Sequence, residues 1–216
     1  MRRRPALLAC SAATAALLAG LFAAPAHAAP AVVLDHGHVD AVDVEYEDGA
    51  LELHVHDESV EPSVEYDPAQ VVLKALPGAR TTVPADASYR FLGPAGAPVS
   101  ILPETQNPDL LWPGFSTEEL TTGVFAGDSV KVTLKSVRGP GAASVFTTDP
   151  FGAANVLLDS GDGLPDALTL PAGLHEHVNW GFTQPGVYKL TFQATATLTT
   201  GAKVSSAPAV LTFCVD

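Results

Sequence analysis

The sequence has few basic residues for its size. Its 216 residues include 11 Lys and Arg against 24 Asp and Glu, which gives a formal net charge of -13. A protein that binds nucleic acid needs clustered Lys and Arg to displace counterions from the phosphates. The composition therefore excludes nucleic acid as a partner. Only 16% of the residues are charged and 47% are hydrophobic, so the chain has enough apolar material for a folded core.

Cysteine is also scarce, because the chain contains only Cys10 and Cys214. Cys10 falls within residues 1–28, which have the three parts of a secretory signal peptide: three early arginines, an apolar stretch, and the cleavage site Ala26-His27-Ala28. Cleavage there leaves 24 acids against 8 bases, a net charge of -16. Cys214 then has no disulfide partner in its own chain, and its apolar neighbours predict a buried strand residue.

Long apolar runs are absent after the signal peptide. No later stretch approaches the roughly 18 apolar residues that a membrane span needs, and the chain ends at Asp216 with no anchor sequence. We therefore expect residues 29–216 to form one secreted domain without a membrane span.

Short apolar runs separated by 18 Gly and 18 Pro predict an all-β protein. The clearest element is a hairpin in which apolar and polar residues alternate over 42–47 and 51–56, with Asp48-Gly49 at the turn. Residues 116–120 carry only a short helical start. Further strands are predicted at 71–76, 88–92, 129–137, 143–147, 156–158, 178–182, 187–199 and 203–215.

The C-terminal third favours a particular architecture. Tyr188 follows a Pro-Gly turn and begins a long alternating strand, which is the pattern of a tyrosine corner, and Trp180 on the preceding strand is a candidate core aromatic. These features predict an immunoglobulin-like β-sandwich of antiparallel strands, without the disulfide of antibody domains.

Six of the seven histidines form three His-x-His pairs. The pairs are His36 with His38, His54 with His56, and His175 with His177. Residues i and i+2 of a strand share a face, so each pair can present two imidazoles to one ion. The second and third pairs are expected on solvent-directed faces, and a two-residue turn in the hairpin would place Asp43 opposite His54.

Imidazole and carboxylate ligands suit transition metals. We therefore expect a metal site formed by a subset of the six histidines, with Asp40 and Asp43 as oxygen ligands and with zinc favoured over copper and manganese. The alternative is that the histidines lie incidentally on an acidic surface or pair with its carboxylates.

Half of the acidic residues, 12 of 24, lie in the acidic segment Asp35–Asp67, which contains no Lys or Arg. This charge either keeps the protein soluble or concentrates cations near the first two histidine pairs. A separate Gly-rich stretch spaces Asp159, Asp162 and Asp166 in a way that is similar to a calcium loop, although most such stretches are solvated turns. The loop Leu110–Phe115 offers Trp112 and Phe115 for stacking on a sugar or a partner, or as a plug at one end of the sandwich.

The sequence offers little support for catalysis. It has no Gly-x-Ser-x-Gly motif, and its remaining cysteine lies in an apolar strand, so no nucleophile is indicated. One enzymatic alternative depends on the signal cleavage site. Cleavage after Ala26 would make His27 the N-terminus, where its amine and ring could chelate copper as in oxidative polysaccharide enzymes. Cleavage after Ala28 fits better.

Several segments together resemble the actinobacterial surface-anchored protein domain, also called the choice-of-anchor M domain. The segments are Gly37–Asp40, Tyr46–Gly49, Asp67–Leu73, Gln106–Phe115, Phe146–Asp149, Leu170–Gly173 and His175–Trp180. Its most specific parts are Leu-Trp-Pro-Gly-Phe and His-x-His-x-Asn-Trp, and the resemblance covers nearly all of residues 29–216.

The resemblance implies a secreted or cell-surface receptor or relay that hands a ligand, a metal ion, to an ABC transporter of the metal-uptake type. Its partners would be the transporter's substrate-binding protein or wall-anchored homologues. With one domain copy and no sorting signal, this chain would be released or held without a covalent bond. The competing hypothesis is a module that binds cell wall or protein without any metal.

Overall fold

A computed structural model describes residues 32–216, so the predicted signal peptide and His27 lie outside the described residues. The regular elements of the described chain are nearly all β-strands, with three short 3-10 helices at 68–70, 77–79 and 87–92. The strands are β1 Val32–Leu34, β2 Gly37–Glu47, β3 Ala50–Asp57, β4 Val64–Tyr66, β5 Val71–Ala75, β6 Arg80–Thr82, β7 Pro98–Leu102, β8 Leu111–Ser116, β9 Ser129–Arg138, β10 Ala143–Thr148, β11 Ala154–Asp159, β12 Asp166–Pro171, β13 His175–His177, β14 Asn179–Phe182, β15 Gly186–Thr197, β16 Lys203–Ser205 and β17 Ala209–Val215. No helix in this part of the chain is long and apolar enough to cross a membrane.

The strands form three sheets. The first has the order β1-β5-β17-β15-β9-β12 with β16 beside β15, the second has the order β11-β10-β14-β7-β6, and the third has the order β13-β8-β2-β3-β4. Most neighbours are antiparallel, but β1 with β5, β5 with β17 and β2 with β8 are parallel. The prediction of an all-β fold is confirmed. The expectation of purely antiparallel strands is wrong, because long connections let distant strands such as β2 and β8 run in the same direction.

The β2–β3 hairpin forms where the alternation predicted it. Its turn residues Asp48 and Gly49 both have positive φ, 47° and 85°, as a tight type I′ turn requires. The register pairs Asp43 with His54, as expected. A bulge between Asp40 and Asp43 adds one residue to β2 against both of its neighbours. The extra residue turns both carboxylates toward the same face of the third sheet.

The core is centred on Trp180, which the sequence had indicated as a core aromatic and which is 1% exposed. Its ring contacts one aromatic side chain of the third sheet and two of the first. Their ring centroids lie 5.4 Å away for Phe115, 5.2 Å for Phe213 and 6.2 Å for Phe192. The indole N–H donates to the carbonyl of Pro113 at 3.3 Å. Trp180 therefore joins the three sheets around one hydrophobic centre.

Several predicted elements differ from the structure. Residues 88–92 lie in the 3-10 helix 87–92, because the Asp86 carboxylate accepts the backbone N–H of Ser88 and caps a turn there. The short helical start at 116–120 is instead the end of β8 and a turn, and the predicted strand 203–215 is split into β16 and β17. Cys214 is half-buried in β17 rather than fully enclosed.

The tyrosine corner is present. Tyr188, fully buried at the start of β15, donates its hydroxyl proton to the carbonyl of Gln184 at 2.7 Å and accepts the Gln184 N–H at 3.2 Å. One phenol thus satisfies two backbone groups of the corner that leads into β15.

Removal of this hydroxyl tests the corner. We expect Tyr188→Phe to lower the free energy of unfolding by about 1–3 kcal/mol, because both Gln184 groups lose their partner while the ring still fills its place. Urea titration followed by tryptophan fluorescence measures the change. Tyr46→Phe is the control, since the Tyr46 hydroxyl makes no hydrogen bond within residues 32–216. Equal stability of the two variants would contradict the role of the corner.

Candidate metal centre

One face of the third sheet collects seven of the eight side chains that the sequence suggested as metal ligands, all but that of His36. His38 lies on β2 beside Asp40, and register relates the other six. Register aligns these residues in two rows that cross β13, β8, β2 and β3. The first row is His177, Gly114, Asp40 and His56, and the second is His175, Ser116, Asp43 and His54. Residues that are aligned across neighbouring strands project to the same face. The other face of β2 and β8 packs into the core, where Val39 and Phe115 are buried.

Three ligand atoms converge at the β13 end of this face. The Nε2 atoms of His38 and His175 are 2.9 Å apart, and Oδ1 of Asp40 lies 3.1 Å from His175 Nε2 and 3.8 Å from His38 Nε2. A ring nitrogen of His177 completes a group whose ligand atoms all lie within 4.8 Å of one another. Four ligands around a tetrahedral zinc ion are separated by roughly 3.3 Å, given metal–ligand bonds of about 2.0–2.1 Å. The separations among His38, Asp40 and His175, from 2.9 to 3.8 Å, fall on both sides of that value.

In the rings of His38 and His175, the nitrogen that points away from the group, Nδ1, lies next to a glutamate carboxylate. Nδ1 of His38 lies 2.7 Å from a Glu58 oxygen, and Nδ1 of His175 lies 3.0 Å from a Glu118 oxygen. An Nδ1 proton shared with a carboxylate leaves the Nε2 of the same ring as a lone pair. Two lone pairs 2.9 Å apart beside a carboxylate repel each other, so a proton or a metal ion must lie between the two nitrogens. Metal-bound histidines commonly have this outer carboxylate.

Gly114 provides the space for His177. A Cβ on Gly114 would lie 3.1 Å from the His177 ring and 2.9 Å from the carbonyl oxygen of Glu176, so a side chain there would displace β13. The His177 ring also stacks on Trp112, with centroids 3.5 Å apart and an interplanar angle of 10°. Gly114 and the indole thus fix the position of the ring, and within residues 32–216 both of its nitrogens are buried without a hydrogen-bond partner.

Burial controls the protonation of the group. It raises the pKa of Asp40 to about 6, and this aspartate is 1% exposed with neither oxygen hydrogen-bonded within residues 32–216. Burial also raises the pKa of Asp43. It lowers the pKa of His38, and with the neighbouring imidazoles it lowers the pKa of His177 to about 4. His177 is therefore neutral near pH 7, as a metal ligand must be.

The remaining predicted ligands lie outside this group. His56 bridges the rows, with its Nδ1 4.0 Å from both Asp40 Oδ2 and Asp43 Oδ2. His54 belongs to a separate group with Glu45 and Glu65.

His36 is not brought to the site. Its side chain is 70% exposed and contacts Asp35. Gly37, at φ 86°, bends the chain sharply against Ser59, so His36 and His38 do not belong to one regular strand and their side chains diverge. The sequence had offered His36 with His38 as two imidazoles for one ion, and the structure brings only His38 to the group.

The aspartates of the proposed calcium loop serve the local backbone instead of converging. Asp159 accepts hydrogen bonds from the Ser144 hydroxyl and the Gly161 N–H, while Asp166 accepts the Asp159 N–H. Asp162 is exposed. Within residues 32–216, these three carboxylates are not among the groups whose ligand atoms converge.

The aromatic loop has a structural role. Phe115 is 1% exposed and stacks on Trp180, so the structure corrects its assignment to a partner surface. Trp112 is half-buried and donates its N–H to the Glu104 carbonyl at 2.8 Å while it stacks on His177. It forms a wall of the metal group.

Sequence reasoning missed Glu58, Glu118 and Gly114. The two glutamates come from a loop and a turn, where no periodicity aims a side chain. Gly114 sits within the Leu-Trp-Pro-Gly-Phe stretch, but only the register with β13 shows what its missing side chain makes room for.

Comparison of the chain with models of known families, with curated proteins and with solved structures finds no match. The resemblance to the surface-anchored domain therefore stays a prediction.

The buried charge of Asp40 predicts a stability effect in the metal-free protein. The pKa of Asp40 is about 6 in the folded protein and lower in the unfolded chain, so folding favours the protonated carboxyl. The resulting stabilisation is present in full below about pH 4 and is lost as the pH rises through 6. At pH 8 we expect Asp40→Asn to be more stable than the wild type by roughly 2 kcal/mol in EDTA, with little difference at pH 4.

Urea unfolding at the two pH values measures this effect, and Asp48→Asn, at an exposed turn position, is the matched control. Destabilisation of Asp40→Asn at pH 8 would show that the carboxylate is compensated in the metal-free fold.

Proposed function

We propose that this protein is a secreted, non-enzymatic binding protein for one divalent transition metal ion, held by His38, Asp40, His175 and His177. The observation that carries the proposal is the approach of two Nε2 atoms to 2.9 Å while each ring's Nδ1 faces a glutamate. A bound cation relieves the repulsion among these lone pairs and the Asp40 carboxylate. It also supplies the partner that the buried oxygens of Asp40 lack.

The ligand set favours zinc. Three imidazoles and one carboxylate are nitrogen and oxygen donors of intermediate hardness, and four of them suit tetrahedral Zn²⁺. Cu²⁺ binds such donors tightly but prefers a tetragonal arrangement, whereas Mn²⁺ binds them more weakly and prefers more oxygens. We therefore expect zinc to be the physiological ion, with copper and manganese as competitors.

The surroundings suit reversible binding. The side chains of His38 and His175 are 21% and 26% exposed, so an ion can enter and leave without unfolding of the sheet. The acidic segment Asp35–Asp67 contributes β2 and β3 and surrounds the site with negative charge. Such a field raises the local concentration of cations and speeds their capture.

We propose a carrier role on the basis of the family resemblance. The protein would bind a metal ion outside the cell and pass it to the substrate-binding protein of a metal-type ABC transporter or to wall-anchored homologues. For the fold, the tyrosine corner and the aromatic core between packed sheets support an immunoglobulin-like sandwich as the finer assignment.

Zinc calorimetry on the EDTA-stripped protein tests the site. Loss of a carboxylate that only supports a ligand histidine weakens metal binding roughly 10- to 100-fold. We expect the double variant His38→Ala with His175→Ala, which loses two ligands, to weaken zinc binding by more than that. Wild-type affinity should fall as the pH drops through about 6, because zinc then competes with a proton on Asp40. His36→Ala, which removes an exposed imidazole, is the control and should bind like the wild type. Equal heats for all three proteins would overturn the proposal.

Gly114 offers a test in which none of the proposed ligand residues is substituted. We expect Gly114→Ala to weaken zinc binding about tenfold or more while the variant remains folded, because its Cβ would displace the His177 ring. Gly78→Ala is the control, since the nearest atom to a Cβ there lies at an ordinary 3.4 Å. Unchanged zinc affinity in Gly114→Ala would exclude His177 from the ligand set.

A further inference from the structure

A second group of ligand atoms lies on the same face of the third sheet, toward β4. It consists of Glu45 on β2, His54 on β3 and Glu65 on β4, whose ligand atoms all lie within 4.8 Å of one another. His54 Nε2 is 3.8 Å from a Glu45 oxygen and 3.4 Å from a Glu52 oxygen. The group shares no residue with the His38, Asp40, His175 and His177 site.

Two of these side chains contain a buried polar atom without a hydrogen bond. Glu45 is 7% exposed, and its Oε1 has no hydrogen-bond partner within residues 32–216. His54 is partly exposed, but its Nε2 atom is buried and makes no hydrogen bond in the described part of the chain. The acidic segment contains no Lys or Arg, and Glu45 forms no ion pair with a lysine or arginine elsewhere in the described chain. A carboxylate oxygen that is buried without a hydrogen-bond donor is costly, and a proton or a bound cation beside Glu45 and His54 would remove that cost.

The group borders a cavity of about 230 Å³. The cavity is lined by Tyr46 and by four carboxylates, those of Glu45, Glu47, Glu65 and Glu119. Glu47, Glu65 and Glu119 are exposed, so the cavity communicates with solvent. Like charges gathered without a cation repel one another, and the volume holds a hydrated ion together with several waters.

We propose that Glu45, His54 and Glu65 form a second divalent-cation site, which takes a harder ion than the first site. One imidazole and two or more carboxylates, with room for water, are the donors that Mn²⁺ prefers, whereas the imidazole-rich first site suits Zn²⁺. This inference goes beyond the proposed function, because it assigns a separate ion to separate ligands.

Titration of the full metal-free chain with Mn²⁺, followed by the loss of the free-ion electron paramagnetic resonance signal, tests the site. We expect Glu45→Gln with Glu65→Gln to weaken Mn²⁺ binding at least tenfold and to leave zinc affinity at the first site within about threefold of the wild type. Asp48→Asn with Glu61→Gln removes two charges from exposed positions of the same acidic segment and should keep wild-type Mn²⁺ affinity.

The outcomes separate the two sites. Mn²⁺ binding that survives in His38→Ala with His175→Ala but is lost in the glutamine double variant supports the second site, whether or not zinc binds the first. If Asp48→Asn with Glu61→Gln weakens Mn²⁺ binding as much as Glu45→Gln with Glu65→Gln does, the effect comes from the overall charge of the segment and the proposal is overturned. Wild-type Mn²⁺ binding in Glu45→Gln with Glu65→Gln would overturn it too.

His54→Ala keeps all the carboxylates and serves as the second variant if the glutamine variant fails to fold. Unchanged Mn²⁺ affinity in His54→Ala would overturn the proposal as well.

Discussion

The register between the parallel strands β2 and β8 is the constraint on which both the core and the site depend. It aligns Asp40 with Gly114 and Val42 with Phe115. On one face, this alignment places the Asp40 carboxylate beside Gly114, and only a glycine leaves room there for the His177 ring. On the other face, it brings Phe115 against Trp180 at the junction of the three sheets. A slip of one residue would exchange the two faces and place the carboxylates in the core, so packing and metal geometry are specified by the same hydrogen bonds.

A buried carboxylate in each of the two proposed sites lowers the stability of the metal-free fold. Asp40 and Glu45 are both at least 93% buried, and burial raises the pKa of Glu45 to about 7 as it raises that of Asp40. Neither carboxylate has a lysine or arginine partner within the described chain, and a hydrophobic or neutral residue would suit the metal-free fold better. Ordinary surface charge does not explain this arrangement, because solvated carboxylates lie in water. The proposed cations would compensate both carboxylates, and their binding would then be coupled to the stability of the sheet.

The acidic segment acquires a more specific meaning from the structure. Its net charge alone is compatible with simple solubility. In the fold, β2, β3 and β4 turn part of that charge inward onto one face, where it meets histidines that are more than 100 residues away in the chain. The exposed remainder, including Glu47 and Glu65, lines the approach to the inner carboxylates. The negative charge thus extends from exposed glutamates to buried carboxylates, and such a field would draw cations toward the proposed sites.

The sequence by itself determined the local features of this protein. Alternation of apolar and polar residues and the Asp-Gly turn specified the β2–β3 hairpin and the pairing of Asp43 with His54, and the Pro-Gly-Val-Tyr pattern specified the corner at Tyr188, because both depend on neighbouring residues. His-x-His spacing likewise identified the histidines that the structure brings together. It also included His36, which lies away from the group because the chain bends at Gly37. Only the tertiary structure decided which imidazoles meet one another, that Glu58 and Glu118 hold their far nitrogens, and that Phe115 belongs to the core. These relations arise from register between strands that are distant in the chain, and register is set by the packing of whole sheets, which no local pattern encodes.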